Sequence, residues 1–247
     1  MNRFFVLPEN IKDGRVTITG SDVNHIKNVL RLKKGAGIAV FDGTGEEYTV
    51  RIEHIGEEVA GTIIRTKEIK NSPGPKIVLW QGLPKGPKID FIIQKCTEVG
   101  VSRIVPLLTE RTIVKIEPSK SADKQKRWQK IAKSAAEQSR RTEIPLVERP
   151  LTFEEALAKV DKKALNIIPW EIESGRSLRE ILKKNNALIG ALINIFIGPE
   201  GGFTYREVEQ AKSAGLIPVS LGPQILRTET AGLAVAIMVL YETGTMG

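Results

Sequence analysis

Cysteine is almost absent from this chain: Cys96 is the only one among 247 residues. A disulfide framework within the chain is therefore excluded, and a reducing setting is expected. Histidine is nearly as scarce, with His25 and His54 alone, so the ligands of a structural zinc site are missing and no metal is expected. No apolar run approaches the roughly 20 residues of a membrane helix. The most apolar stretch, Ala231 to Leu240, stops at Tyr241 and Glu242 and reads as a buried or interface helix. The opening residues MNRFFVLPEN lack the apolar core and small-residue cleavage site of a secretory signal, which points to a cytoplasmic protein with no membrane partner.

Negative charge is the minority sign. Lys and Arg total 37 against 29 for Asp and Glu, a formal charge of +8 and a pI near 9.5. That balance favours a polyanionic partner, because neutralising phosphates releases counterions. Many basic proteins never meet nucleic acid, so the charge alone excludes little.

The length suits one large domain or a small one joined to a larger one. Short β-like runs fill the beginning: Arg3 to Leu7, Arg15 to Thr19, Gly37 to Phe41, Tyr48 to His54 and Val59 to Thr66, broken at Asp13-Gly14, Asp42-Gly43 and Gly56. They predict a small β-barrel. One helix interrupts them, with Ser21 as expected N-cap, an apolar stripe of Val23, Ile26, Val29, Leu30 and Leu32, and a stop at Gly35. Asn71-Ser72-Pro73-Gly74-Pro75 reads as the linker, giving domains 1–71 and 76–247.

Beyond the linker, strands alternate with helices. Strands are expected at Lys76 to Leu83, Arg103 to Leu108, Ala164 to Pro169, Leu192 to Ile197 and Ile217 to Leu221. Helices are expected at Ile89 to Val99, Ser121 to Arg141, Thr152 to Val160, Ser177 to Lys184, Thr204 to Ala214 and Thr228 to Tyr241. This alternation predicts an α/β domain with a mainly parallel sheet. Thr152 with Glu155, Ser177 with Glu180 and Thr204 with Glu207 have the spacing of capping boxes. The long helix has Trp128, Ile131, Ala132, Ala135 and Ala136 as its apolar stripe and a basic outer face that includes Lys124, Lys126, Arg127, Lys130 and Lys133. Glu98 lies three residues beyond Lys95 and reads best as its intrahelical ion-pair partner.

The densest local signal is the apolar strand that runs through Gly198-Pro199-Glu200-Gly201-Gly202 into a capped helix. In an open α/β sheet, ligands sit beyond the carboxyl ends of the strands, where glycine lets backbone groups come close. The segment is neither a P-loop nor a dinucleotide fingerprint, since the required lysine and glycine spacings are missing. A plain strand-to-helix turn is the competing explanation. Leu221-Gly222-Pro223 and Leu226-Arg227-Thr228-Glu229-Thr230-Ala231 follow and would meet the first loop at one edge of the sheet.

Taken together, GPEGGFT, SLGPQILRTETA and AEQSRR closely resemble the RsmE family of ribosomal RNA uridine-N3 methyltransferases, of the knotted SPOUT superfamily. HIKNVLRLKKG, KGPKIDFIIQKCTEVGVSRIVPLLTERT and RWQKIAKSAAEQSRR extend the resemblance over essentially the whole chain. Two departures stand out: Cys96-Thr97-Glu98-Val99, where Ala and Leu are expected at the ends, and Arg140 where glycine is common.

The resemblance implies a PUA-like β-barrel at the N-terminus and a SPOUT-type α/β domain with a deep trefoil knot. It also implies S-adenosylmethionine as cofactor, small-subunit ribosomal RNA as substrate, and a homodimer formed through the knot domain. Cofactor contacts are then expected from Leu83, Ile168, Gly198, Pro199, Gly201, Gly202, Leu221, Gly222, Leu226, Thr228, Thr230 and Ala231. Arg227 is the candidate donor to the uridine anion, with Glu229 or Glu200 to orient it or take the proton. An ion pair that merely holds the loop is the competing role for Arg227. Arg3, His25, Arg31, Lys33, Arg140 and Arg141 are candidate RNA contacts, against the alternative of a solvated basic surface. A knotted RNA methyltransferase acting on another RNA atom, and a non-catalytic ribosome-assembly factor, remain as alternatives. A nucleotide-dependent enzyme is disfavoured by the missing phosphate loops.

Overall fold

A computed structural model describes residues 1–68, 74–185 and 189–246. The chain separates into two compact units, Met1–Asn71 with Ala136–Ile144, and Ser72–Ala135 with Pro145–Gly247. Positions 71–73 of the expected linker lie outside the described residues.

The first unit is built on strands β1 (Arg3–Phe5), β2 (Ile11–Lys12), β3 (Arg15–Ile18), β4 (Gly37–Phe41), β5 (Glu46–Ile55) and β6 (Val59–Glu68). They form one sheet in the order β1-β4-β5-β6-β3-β2, antiparallel except where β1 runs parallel to β4. Side chains on alternate positions face one side. Phe4, Val16, Ile18, Ile38, Val40, Tyr48, Val50, Ile52 and Val59 accordingly make up its core.

The helix in this unit departs from the expected one. Gly20, with φ of 72°, holds the N-cap place, and Ser21 is the first helical residue of α1 (Ser21–Asn24). The chain then widens into a π-type turn over His25–Val29. Widening changes the angle per residue, so Val23 and Ile26 stay buried while Val29 turns outward and is 64% exposed. Arg31, at φ 51°, ends the helix before Gly35.

The 136–144 segment completes this unit. Glu137 accepts the Phe5 backbone N–H at 3.1 Å, and the carbonyl of Arg141 accepts from the Arg3 guanidinium at 2.8 Å.

The second unit contains β7 (Lys76–Gly82), α2 (Lys88–Val99), β8 (Arg103–Leu108), α3 (Pro118–Gln138) as far as Ala135, β9 (Leu146–Val147), β10 (Leu151–Thr152) and α4 (Phe153–Lys159). Then follow β11 (Leu165–Pro169), α5 (Leu178–Lys184), β12 (Leu192–Ile197), α6 (Tyr205–Ser213), β13 (Ile217–Val219) and α7 (Thr228–Glu242). Its sheet runs β10-β8-β7-β12-β11-β13, with β9 also on β8, and every ladder is parallel. Parallel strands are covered on both faces, which is why Ile77 to Gly82 and Ile193 to Ile197 are buried without alternation. Trp80 stacks on Phe196, with Phe153 and Phe203 beside them.

All three expected capping boxes are present, at Thr152, Ser177 and Thr204. Lys95 donates to Glu98 at 2.8 and 3.0 Å, as expected. Cys96 is buried, and burial pushes its thiol up to about 12, so it is unreactive in the folded protein. No helix among the described residues is long and apolar enough to cross a membrane.

Helix α3 stops at Gln138, short of the expected Arg141, because Arg140 adopts φ 61°. That left-handed geometry costs a non-glycine residue about 1–2 kcal/mol. Arg140→Gly is therefore expected to stabilise the protein by about 1 kcal/mol. Chemical denaturation checks this, and an unchanged or lower stability would show that the Arg140 side chain makes up for its backbone.

Candidate active site

Four loops leave the carboxyl ends of the strands, after β7, β11, β12 and β13. The last three enclose a cavity of about 480 Å³ together with the start of α7 and Lys88 from α2. Pro169, Trp170 and Glu171 contribute from the first of these loops, Gly198 to Phe203 from the second, and Ser220 to Arg227 from the third. The volume falls in the range of small-molecule sites.

The wall is held by close backbone approach. A Cβ on Gly82 would stand 2.4 Å from the Pro199 nitrogen, and one on Gly198 would stand 2.8 Å from the Gly202 carbonyl carbon. Gly202 N–H donates to Pro199 at 2.9 Å, closing the turn. Gln81 donates to the Thr228 hydroxyl at 2.8 Å, and that hydroxyl donates to the Gly198 carbonyl at 2.6 Å. The end of β7, the loop after β12 and the first turn of α7 are thus joined through one buried side chain. Trp170 N–H to Val219 at 3.0 Å and Ser220 N–H to Arg176 at 2.8 Å join the other two loops.

Within 221–227, Gly222 is the one residue whose backbone N–H is taken up, by Ser220 Oγ, among the described residues. The remaining N–H groups of that loop are open for a ligand, as expected of a loop that reads a small molecule through its backbone.

Charge collects on one side of the cavity. Lys88 Nζ lies 2.8 Å from Glu200 and 3.8 Å from Glu229. The hydrogen bond to Glu200 raises the Lys88 pKa above its ordinary value. Arg227 is exposed and makes no ion pair among the described residues; its carbonyl accepts the Thr230 and Ala231 N–H groups at 2.9 Å.

The structure brings Gly198, Pro199, Glu200, Gly201, Gly202, Leu221, Gly222, Leu226, Arg227, Thr228, Glu229 and Ala231 to this wall. Leu83 and Ile168 are buried in the fold rather than on the wall, and Thr230 faces solvent on α7. Lys88, Glu171 and Trp170 were not expected there. The loop after β11 carries no glycine at its start, and Lys88 lies more than a hundred residues from its partners, so neither has a local signature.

Among the candidate RNA contacts, Arg3 is corrected: its side chain is 7% exposed, paired with Glu47 and laid 4.4 Å from the centre of the Phe41 ring. A guanidinium held this way is structural. His25, Arg31, Lys33 and Arg140 are exposed, and Arg141 is half-buried. On α3, Arg127 is engaged with Asp90 at 2.6 and 2.8 Å.

The model of the RNA methyltransferase domain matches residues 70–240, and that of the RNA methyltransferase PUA domain matches residues 18–59. Ribosomal RNA small subunit methyltransferase E of Bacillus subtilis is 33% identical over 98% of this chain and 97% of its own length. The chain belongs to the ribosomal RNA small subunit methyltransferase E family. The Synechocystis member is 38% identical over 93% of this chain and 74% of its own length. A crystal structure of the Neisseria gonorrhoeae member bound to S-adenosylmethionine matches with a TM-score of 0.86 and 35% identity, covering 98% of this chain and 97% of that one. The expected α/β architecture with an N-terminal PUA-like domain therefore stands.

For a member of this family, the contact at Gly82 becomes a test of the cavity wall. Gly82→Ala is expected to cost about 1–3 kcal/mol through overpacking against Pro199 and to weaken S-adenosylmethionine binding roughly tenfold as the loop shifts. Titration calorimetry checks it; unchanged affinity would show that the loop after β12 is not a cofactor contact.

Proposed function

We propose that this chain transfers a methyl group from S-adenosylmethionine to N3 of a specific uridine in small-subunit ribosomal RNA, in the cytoplasm and as a homodimer. The observation that carries this reading is the three-loop cavity, with free backbone N–H groups on one wall and Lys88, Glu200, Arg227 and Glu229 on another.

The cavity fits the cofactor in size and in lining. Gly198, Pro199, Gly201 and Gly202 would hold it from one loop and Leu221, Gly222 and Leu226 from the other, while Ala231 gives an apolar contact. Thr228 acts through the wall it builds. Leu83 and Ile168 back the site from the core. When bound, S-adenosylmethionine supplies an electrophilic methyl carbon on a positively charged sulfur.

Uridine N3 becomes nucleophilic once it loses its proton, with negative charge spread onto O2 and O4. Arg227, exposed on the wall and unpaired among the described residues, is placed to donate to such an oxygen. His25, Arg31, Lys33 and Arg140 would contact phosphates of the RNA.

The knotted SPOUT arrangement and the dimer belong to this proposal. After edge strand β13 the chain returns to lay α7 against α2, β7 and β12, and this return supports the knotted reading. A crystallographic trace without threading of that segment would remove the knot. Ile237, Met238 and Tyr241 on α7 are exposed and support a self-interface. Sedimentation equilibrium is expected to give about twice 27.2 kDa; a monomer at every concentration would remove the dimer.

Arg227→Ala is expected to lower single-turnover methyl transfer by roughly 100- to 1,000-fold, the cost of losing one donor to a developing anion. Cofactor binding, followed through Trp170 fluorescence since Trp170 lines the cavity, should survive. Wild-type transfer by this variant would take Arg227 out of the chemistry.

A further inference from the structure

Lys88 opens helix α2 and stands between two carboxylates from separate segments, Glu200 on the loop after β12 and Glu229 in the first turn of α7. All three line the cavity.

The two carboxylates are not equivalent. Glu200 accepts the Lys88 ammonium at 2.8 Å and the Lys85 backbone N–H at 3.1 and 3.4 Å from its two oxygens. Burial alone would raise its carboxyl, but the hydrogen bonds from Lys88 and from backbone N–H groups outweigh that and hold it below the usual range. A carboxylate satisfied in this way is a poor proton acceptor.

Glu229 presents the opposite case. Its Oε2 is shielded from solvent and has no hydrogen-bond partner among the described residues. At 3.8 Å the Lys88 ammonium attracts it without hydrogen-bonding it. Lys88 thus holds the shielded Oε2 of Glu229 by charge alone, while the side chain as a whole stays 19% exposed on the cavity wall.

We propose that Lys88 is a positioning residue for proton removal: anchored on Glu200, its ammonium holds Glu229 at the cavity wall, and Glu229 takes the N3 proton. This rests on the reading of the cavity as a uridine-N3 methyl-transfer site. The proton passes from N3 to a Glu229 oxygen and later to water. The N3 lone pair forms the bond to the methyl carbon, and the carbon–sulfur bonding pair remains on sulfur, which becomes neutral. Arg227, the remaining cation of this wall, is left to the uridine oxygens.

The test uses full-length Lys88→Met, Lys88→Arg, Glu200→Gln and Glu229→Gln. Single-turnover transfer to small ribosomal subunits lacking the modification is measured beside S-adenosylmethionine dissociation constants. Loss of a positioned proton acceptor typically costs about 10²–10⁴-fold, so Glu229→Gln should fall by at least roughly 100-fold. Lys88→Met should fall roughly 30-fold with cofactor affinity kept within about threefold, and Lys88→Arg should recover most of the rate. Lys88→Met combined with Glu200→Gln should fall no further than Lys88→Met, since both break one tie.

Wild-type transfer by Lys88→Met, or a loss that only follows cofactor affinity, overturns the proposal. If Lys88→Met does not fold by circular dichroism, the carboxylate variants decide: the proposal stands if Glu229→Gln is the more damaged and falls if it is not. Failure of the wild-type chain to methylate uridine N3 is seen before any variant is made, and it removes the underlying reading and this proposal together.

Discussion

One hydroxyl group holds the site together. Thr228 is buried, accepts from Gln81 and gives its only proton to the Gly198 carbonyl. The three residues come from the end of β7, the loop after β12 and the start of α7, so a single side chain ties together the ends of segments that already pair and pack in the sheet. Buried polar groups left without partners cost about 1–3 kcal/mol each; breaking this relay would take the Thr228 partner from the Gly198 carbonyl and leave the Gln81 amide with the Gly82 carbonyl alone. The glycines at 82 and 198 remove the side chains that would otherwise keep those backbones apart.

The charges around the cavity follow from the same convergence. Lys88 is brought beside Glu200 and Glu229 because α2 packs on α7, which lies over β7 and β12. The two carboxylates beside Lys88 place acidic groups on the wall, which suits a positively charged sulfur centre and a proton on its way out. Arg227 sits on the loop after β13 and makes no ion pair among the described residues. A cation without an ion-pair partner keeps its hydrogen-bonding capacity for a substrate.

What was legible in the sequence is what short-range chemistry decides. Thr152, Ser177 and Thr204 announce their helices because a hydroxyl and a glutamate three residues on form their bonds within one turn. The buried strands from Ile77 and Ile193 were equally plain, as unbroken apolar runs. The π-type turn at His25–Val29 was not, since its apolar spacing mimics an ordinary helix until Val29 turns outward. Arg3 read as a surface cation because nothing nearby in sequence tells of Phe41, Glu47 and Arg141. Most of the cavity wall came from glycine-rich loops and the family resemblance. Trp170, Glu171 and Lys88 were invisible because their place is set by sheet order, which no local pattern encodes.

That sheet order has a consequence for synthesis on the ribosome. The Gln81–Thr228 bond spans 147 positions, and Glu200 reaches back 112 to Lys88. Helix α7 is made after every strand of its sheet, so a nascent chain can assemble β7, β8, β11 and β12 and still have no closed cavity. Non-local contacts of this kind are slow to form, since chain closure must precede their reward. An emerging polypeptide would therefore be unable to hold a cofactor until α7 has cleared the exit tunnel, and ligand capture would mark the end of folding rather than guide its course.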